Sequence, residues 1–321
     1  MKVVIMAGGK GTRISSVASD IPKPMIKIEG KPVLEHELEC LRDQGFTNII
    51  ITVSHLGNII MDYFGDGSGT SPVTGKPFGV HIEYYFEKEP LGNAGALFKI
   101  KDKLTSDFLL LNADAVFDVD FNRFVDFHHK HGGMVTLFTH PNSHPYDSGL
   151  IIADKNGAVE KWLAKEDERP QYYRNRVNAG LHVISPKVLE LVDIDADSIG
   201  KIGANGKLVK VDLDRQLLKP LAGTGKMFCY DSPEYVKDMG TPERYYSVCA
   251  DYKEGRVSGK NLKNKQKAVF LDRDGTINKY VGFLRNIDDF ELIGGVAEAV
   301  RKINESGYLA IVVTNQPVIA R

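Results

Sequence analysis

Val3-Val4-Ile5-Met6-Ala7-Gly8-Gly9-Lys10-Gly11-Thr12-Arg13, with Pro22-Lys23-Pro24 close behind, is the stretch on which the fold turns. The apolar residues read as a buried parallel strand. The glycines after them let the backbone turn tightly enough for several N–H groups to converge on one anion. Arg13 and Lys23 bring positive charge to the same place. The result is a phosphate cradle at a strand end, with Ala7, Gly8, Gly9, Gly11, Thr12, Arg13 and Lys23 as its candidate nucleotide-binding residues. Such a layout suits a triphosphate attacked at its α-phosphorus, where the protein mostly positions reactants and neutralises charge. Two other glycine motifs are excluded. The dinucleotide fingerprint needs glycine or alanine where Ile14 stands, and the P-loop needs Gly-Lys-Ser/Thr where Gly11-Thr12-Arg13 stands.

Outward from this stretch, apolar runs of strand length recur at Ile49 to Val53, Val80 to Phe86, Phe108 to Leu111 and Met134 to Thr139. Between them, Pro32 to Gln44 carries a helical stripe of Val33, Leu34, Leu38 and Leu41, and Gly92 to Leu104 opens a second helix after a glycine turn. This alternation predicts an α/β fold with a doubly wound, mostly parallel sheet, whose ligands lie beyond the carboxyl ends of the strands. Past about residue 140 shorter strands, Gly149 to Ala153 and Gly180 to Ile184, read as a substrate-binding half. Residues 1 to 250 form the expected first domain. Asp251 to Lys267 is polar and lysine-rich and reads as a linker, or as the frayed end of a helix begun near Thr241. Ala268 to Leu271 then restarts a strand, followed by a helix over Gly295 to Ser306 and a strand over Leu309 to Val313, the opening of a second domain over 268 to 321.

Composition narrows the partners. With 41 Lys+Arg against 42 Asp+Glu in 321 residues, the net charge of −1 argues against nucleic acid or a membrane surface as the main partner. Cys40, Cys229 and Cys249 are scattered and odd in number, which points to neither a disulfide framework nor a zinc site. The N-terminal apolar run is too short for a signal-peptide core, and no segment reaches the length of a membrane span, so a cytoplasmic enzyme is expected. The oligomeric state stays open.

The pattern G-G-x-G-T-R followed by P-K-P resembles the signature of the sugar-1-phosphate nucleotidyltransferases, over roughly residues 1 to 245. The resemblance implies a Rossmann-like nucleotidyltransferase fold of the GT-A kind. It also implies attack of a sugar 1-phosphate oxygen on the α-phosphorus of an NTP, releasing pyrophosphate without a covalent intermediate. A divalent cation, expected to be Mg²⁺, bridges the gathered phosphates. Asp114, in Asn112-Ala113-Asp114 after Leu109-Leu110-Leu111, matches the family's metal-binding aspartate. Asp238, ahead of Gly240-Thr241-Pro242-Glu243, matches the second. Arg13, Lys23 and Asp114 are the expected catalytic residues.

Glu87-Lys88-Glu89-Pro90-Leu91-Gly92-Asn93-Ala94-Gly95 resembles the family's P-L-G-T-A-G turn over the nucleoside, with Asn93 in place of the usual threonine. Glu87, Gly92 and Asn112 join the nucleotide set on this ground. Guanine offers adjacent donors that one carboxylate accepts together, whereas uracil and thymine suit an amide. Glu87 or Glu89 therefore favours GTP, while plain solvation of an acidic strand end also accounts for both. For the sugar phosphate, Gly149, Glu160, Lys161, Asn178 and Gly180 match the family's glycine, Glu-Lys and Asn-x-Gly. Asp214 is a weaker candidate for that site. His128, His129, His131, His140 and His144 show no zinc pattern and read as surface or loop residues.

Asp272-Arg273-Asp274-Gly275-Thr276 resembles the first motif of the haloacid dehalogenase superfamily, and Thr314 its second. The resemblance is nearest to small phosphatases of histidinol phosphate or heptose bisphosphate, with Pro317-Val318 departing from the usual Ser-Gly. It makes Asp272 the nucleophile and Asp274 the acid and base. The superfamily's lysine and last carboxylates are expected beyond residue 321, so this segment is expected to be incomplete and inactive. A heptose-bisphosphate phosphatase yields a heptose 1-phosphate, an acceptor the first domain would use next, which favours D-glycero-D-manno-heptose 1-phosphate. Rival readings are a mannose-1-phosphate guanylyltransferase, a uridylyl- or thymidylyltransferase for a hexose 1-phosphate, a hydrolase with a nucleotide-binding half, and a silent scaffold.

Overall fold

The computed structural model describes residues 1–9, 20–142, 145–192, 194–204 and 206–316. Gly11, Thr12, Arg13, His144 and Pro317-Val318 lie outside the described residues. Two compact units are present, Met1–Leu262 and Lys263–Arg321.

In the first unit, β1 (Lys2–Met6) is followed by α1 (Val33–Arg42), β2 (Asn48–Val53), α2 (Gly57–Phe64), β3 (His81–Phe86), α3 (Gly95–Lys99) and β4 (Phe108–Asn112). β1 lies parallel between β2 and β4, and β3 adds in parallel outside β2. Alternate residues of β1 serve two cores, as strand geometry requires. Val3 and Ile5 pack with Leu34, Leu38, Phe64 and Leu109, and Val4 packs with Ile50, Leu97, Phe98 and Leu110. Burial on both faces is why these strands are continuous apolar runs. The helix expected over Gly92 to Leu104 is shorter than its pattern. Gly92 has a φ of 84°, outside any helix, and after α3 the chain makes one tighter turn at Lys101–Lys103.

The chain continues through β5 (Ala115–Asp118), α4 (Phe121–His131), β6 (Val135–His140), β7 (Leu150–Ala153), β8 (Val159–Leu163), β9 (Val177–Ile184) and β10 (Met227–Asp231). Here the sheet becomes mixed. β9 runs antiparallel against β4, β6 and β7, β8 runs antiparallel on β7, and β10 lies parallel to β6. His128 is buried rather than superficial. It sits inside α4 at 2% exposure, with Nδ1 2.8 Å from the Thr136 hydroxyl.

Last come β11 (Tyr235–Asp238), α5 (Pro242–Lys253) and α6 (Arg256–Gly259), with β11 antiparallel to β5. The expected linker is corrected in its first part, because residues 251–262 belong to the first unit. Asp251 accepts from the Tyr235 hydroxyl at 2.8 Å, Lys237 at 3.1 Å and Arg256 at 3.2 Å. Asn261 donates to Asp118 at 2.6 Å, and the Leu262 N–H to Glu234 at 3.0 Å. The second unit pairs β12 (Lys267–Leu271) in parallel with β13 (Tyr308–Val312), joined through α7 (Val296–Glu305). Among the described residues no helix is long and apolar enough to cross a membrane.

Removing the Asn261 amide leaves the Asp118 carboxylate short of a donor. Asn261→Ala is expected to cost about 1–3 kcal/mol in urea unfolding of the full chain. A linker residue would show no change.

Candidate functional site

Three backbone bonds gather the site at the carboxyl ends of the parallel strands. Ala7 donates to Thr52 O at 2.9 Å, Ala113 to Met6 O at 3.3 Å, and Glu87 to Val53 O at 2.7 Å. The Ser54 hydroxyl fixes the glycine loop by donating to Gly8 O at 2.6 Å. Around these ends lies a cavity of about 510 Å³, bordered by Ala7, Gly8, Gly9, Lys23, Glu87, Gly92, Asn112 and Asp114. Of the candidate nucleotide residues, all that lie among the described residues line it. Glu89 does not, and is exposed.

Glu87 lies directly against the glycine loop, where a β-carbon added to Gly8 would stand 3.0 Å from its Oε1. Burial pushes its carboxyl above the ordinary value, and bonds from the Leu91 N–H and the Thr52 hydroxyl oppose that rise. A carboxylate has about four acceptor sites, so these two leave room for two more donors. The turn after it is clamped from outside. Val211 donates to Leu91 O at 2.9 Å, and Ala94 donates to Val211 O at 3.1 Å. A side chain at Gly92 would meet Val211 O at 2.3 Å. Asn93, the departure from the family turn, accepts from the Leu213 N–H at 2.7 Å and so ties the turn to the next segment.

At the opposite end Lys23 is committed to Asp114, with 2.9 Å between Nζ and Oδ2. Asp238 stands opposite Ala115 in the β5–β11 ladder, and Met239 donates to Asp114 O at 3.1 Å, which brings the two aspartates side by side. Arg244 grips both Asp238 oxygens at 2.9 and 3.0 Å, and the Gly240 N–H adds a third bond at 2.9 Å. Burial pushes the Asp238 carboxyl up, but Arg244, Gly240 and Lys23 together hold it below its ordinary value. Magnesium takes oxygen from one or two carboxylates and completes its shell with water and substrate phosphate. Asp114, 47% exposed and facing the cavity, fits that donor set. Asp238 fits once Arg244 releases an oxygen. Among the described residues no group of three or more His, Cys, Asp or Glu side chains could hold a metal.

Sequence reasoning gave no sign of Glu37. It is 1% exposed on α1 with both carboxylate oxygens unpartnered among the described residues, and burial, then the Asp114 charge, hold it well above the usual carboxylate range. Thr52 and Lys210, which also line the cavity, were likewise unsignalled. Thr52 is a lone hydroxyl near the end of an apolar strand, a weak cue.

The candidate sugar-phosphate residues are only partly united. Gly180, with a φ of 77°, packs against the Asn112 amide, which stands 2.6 Å from where its β-carbon would be. Asn178 Oδ1 accepts from the Gly180 N–H at 3.3 Å and from His182 Nε2 at 3.1 Å, leaving its Nδ2 without a partner among the described residues. Burial lowers His182 to about 4, so it is neutral and acts as a fixed donor. Gly149 lines a separate cavity of about 530 Å³ with Trp162, Asp212 and Asp214. Burial and the neighbouring Asp212 raise Asp214 to about 6. Glu160 and Lys161 line neither cavity. Both are exposed at a bulge in β8.

In the second unit, Asp274 is bound by Arg273 at 2.8 Å and by Asn278 and Gln316 at 3.2 Å. Gln316 also donates to the Thr314 hydroxyl at 2.8 Å, so the two strand ends meet, while Asp272 is exposed. No lysine bonds Asp272 or Asp274 among the described residues.

Residues 2–255 match the Nucleotidyl transferase family. The chain belongs to that family. It is 28% identical over 252 residues to mannose-1-phosphate guanyltransferase of Saccharomyces cerevisiae, an alignment covering 77% of this chain and 63% of that protein. The corresponding enzyme of Kluyveromyces lactis is 29% identical over 251 residues with the same coverage. The matching part of the chain thus spans less than two thirds of these curated relatives. The crystal structure of HddC from Yersinia pseudotuberculosis is similar at a TM-score of 0.61 and 27% identity, over 78% of this chain and 99% of that one. HddC complexed with GMP-PN gives a TM-score of 0.60 at 28% identity with the same coverage.

Two contrasts follow from this geometry. Gly92→Ala forces a collision with fixed backbone and is expected to cost about 1–3 kcal/mol of stability. Gly9→Ala, with nothing among the described residues within 4 Å of the added carbon, should leave the melting temperature unchanged. Glu37 is protonated in the fold but ionised when unfolded above its ordinary value of 4.5, so its contribution to stability falls as pH rises from there toward the folded value. Glu37→Gln should therefore raise the melting temperature at pH 8 and leave it nearly unchanged at pH 4. An equal shift at both would contradict the assignment.

Proposed function

We propose that the chain transfers a guanylyl group from GTP to a sugar 1-phosphate, releasing pyrophosphate, with D-glycero-D-manno-heptose 1-phosphate as acceptor. The observation carrying this reading is Glu87, a carboxylate with two spare acceptor sites fixed beside the glycine loop. Guanine presents N1–H and N2–H together, the donor pair one carboxylate accepts. The similarity to guanyltransferases and to a protein crystallised with GMP-PN supports the same base. The heptose is supported by the second unit, where Asp272, Asp274 and Thr314 resemble phosphatases acting on heptose bisphosphate. Mannose 1-phosphate is the second reading, favoured by what the curated relatives act on.

In this reading the Gly8 and Gly9 backbone cradles the triphosphate, with Arg13 and Lys23 as its cations. The attacking phosphate oxygen is already ionised at neutral pH, so the protein needs no general base. Its task is alignment and charge neutralisation. Asn178, oriented by neutral His182, offers Nδ2 to the acceptor. A Mg²⁺ held by Asp114, with Asp238 as second ligand, would offset the charge of the gathered phosphates. Lys23 then exchanges its Asp114 partner for phosphate oxygen.

Pyrophosphate release tests the proposal, with four NTPs set against heptose, mannose, glucose and N-acetylglucosamine 1-phosphates. Turnover is expected with GTP and heptose 1-phosphate. No turnover of any pair with Mg²⁺ would sink it. Asp114→Asn should lower turnover by about a hundredfold or more with an unchanged circular dichroism spectrum, and near-normal activity would remove Asp114 from the site.

A further inference from the structure

We infer that Lys210 is the second base-reading residue of the cavity, donating to the O6 edge of guanine while Glu87 takes the N1–H and N2–H edge. The inference rests on the guanine reading above and adds the group that separates guanine from adenine.

Placement comes from one residue, Leu91. Its N–H bonds the Glu87 carboxylate, and its carbonyl accepts from Val211, next to Lys210, at 2.9 Å. The segment carrying Lys210 is held on its other side too, where Gly200 donates to Val209 O and Val209 donates to Lys201 O, each at 2.9 Å. Gly92 and the Asn93–Leu213 bond fix its distance from the turn. Lys210 is thus delivered to the Glu87 end of the cavity, whose lining it joins.

Availability separates it from Lys23, the other lysine lining the cavity among the described residues. Lys23 is paired with Asp114 at the phosphate end. Lys210 has no hydrogen-bond or ion-pair partner among the described residues. Guanine bound to Glu87 still exposes O6, an acceptor buried in the site, and an ammonium group satisfies it. Adenine presents an amino donor at that position and lacks N1–H, so it meets Lys210 donor against donor.

The test measures dissociation constants of GTP, ATP, ITP and 6-thio-GTP by calorimetry on the full chain and on Lys210→Ala, Lys210→Arg and Glu87→Gln. ITP lacks the 2-amino group, and 6-thio-GTP replaces O6 by a poor acceptor. The unsubstituted chain should favour GTP over all three. Lys210→Ala should lose about tenfold or more of the GTP preference over 6-thio-GTP and ATP, while keeping that over ITP, and Lys210→Arg should restore it. Glu87→Gln should instead lose the preference over ITP while keeping that over 6-thio-GTP. An unchanged GTP to 6-thio-GTP ratio in Lys210→Ala overturns the inference, as does an equal loss for all four nucleotides, which marks a phosphate contact. No preference for GTP in the unsubstituted chain would instead overturn the guanine reading itself, before any variant is made.

Discussion

Everything in the first unit's cavity hangs from the parallel register of β1 between β2 and β4. Met6 stands beside Thr52 on one side and Asn112 on the other, so these strands run out at one level. Parallel strands joined through helices must expose their carboxyl ends together, and the loops leaving them must turn within a few residues. Gly8-Gly9, Glu87 and Asn112 to Asp114 are those loops. A slip of one residue in β1 would exchange Val3 and Ile5 with Val4 between two filled cores, which is why the register admits no alternative.

On that frame the charges are arranged in pairs that ligands can break. Lys23 pairs with Asp114, Arg244 pairs with Asp238, and burial, with the Asp114 charge, favours the neutral form of Glu37. Two ionised carboxylates side by side would repel without these cations. Arg244 and Lys23 favour the ionised form of Asp238 against its burial. The opposite end carries Glu87 and a Lys210 that is unpaired among the described residues, a complementary couple separated by a clamped turn. One end thus suits phosphate and a cation, and the other suits a base with mixed donors and acceptors.

The sequence was legible wherever local chemistry decides structure. The strand and glycine turn at Val3 to Gly9, the helix over Val33 to Arg42 and the second unit's strand-helix-strand all follow from periodicity and punctuation. Glu87 was legible from hydrogen-bond chemistry. Lys210 was not, because only the close approach of Val211 to Gly92 brings that distant segment to the turn. Residues 251 to 262 read as a linker because composition registers polarity and cannot register pairing. Asp251 and Asn261 are polar, yet buried at 8% and 7% exposure through their partners. Glu160-Lys161 matched a pattern, but a bulge in β8 leaves both exposed.

The central claim is that nucleotide and acceptor meet at one α-phosphorus with no covalent link to the protein. The most direct measurement is the stereochemical course of transfer from GTP bearing a single α-sulfur of defined configuration to the sugar 1-phosphate, read by phosphorus NMR. A single in-line displacement predicts a nucleotide sugar with inverted configuration at that phosphorus. Retention would require a nucleotidylated side chain, for which this site has no assigned nucleophile, and would contradict the account.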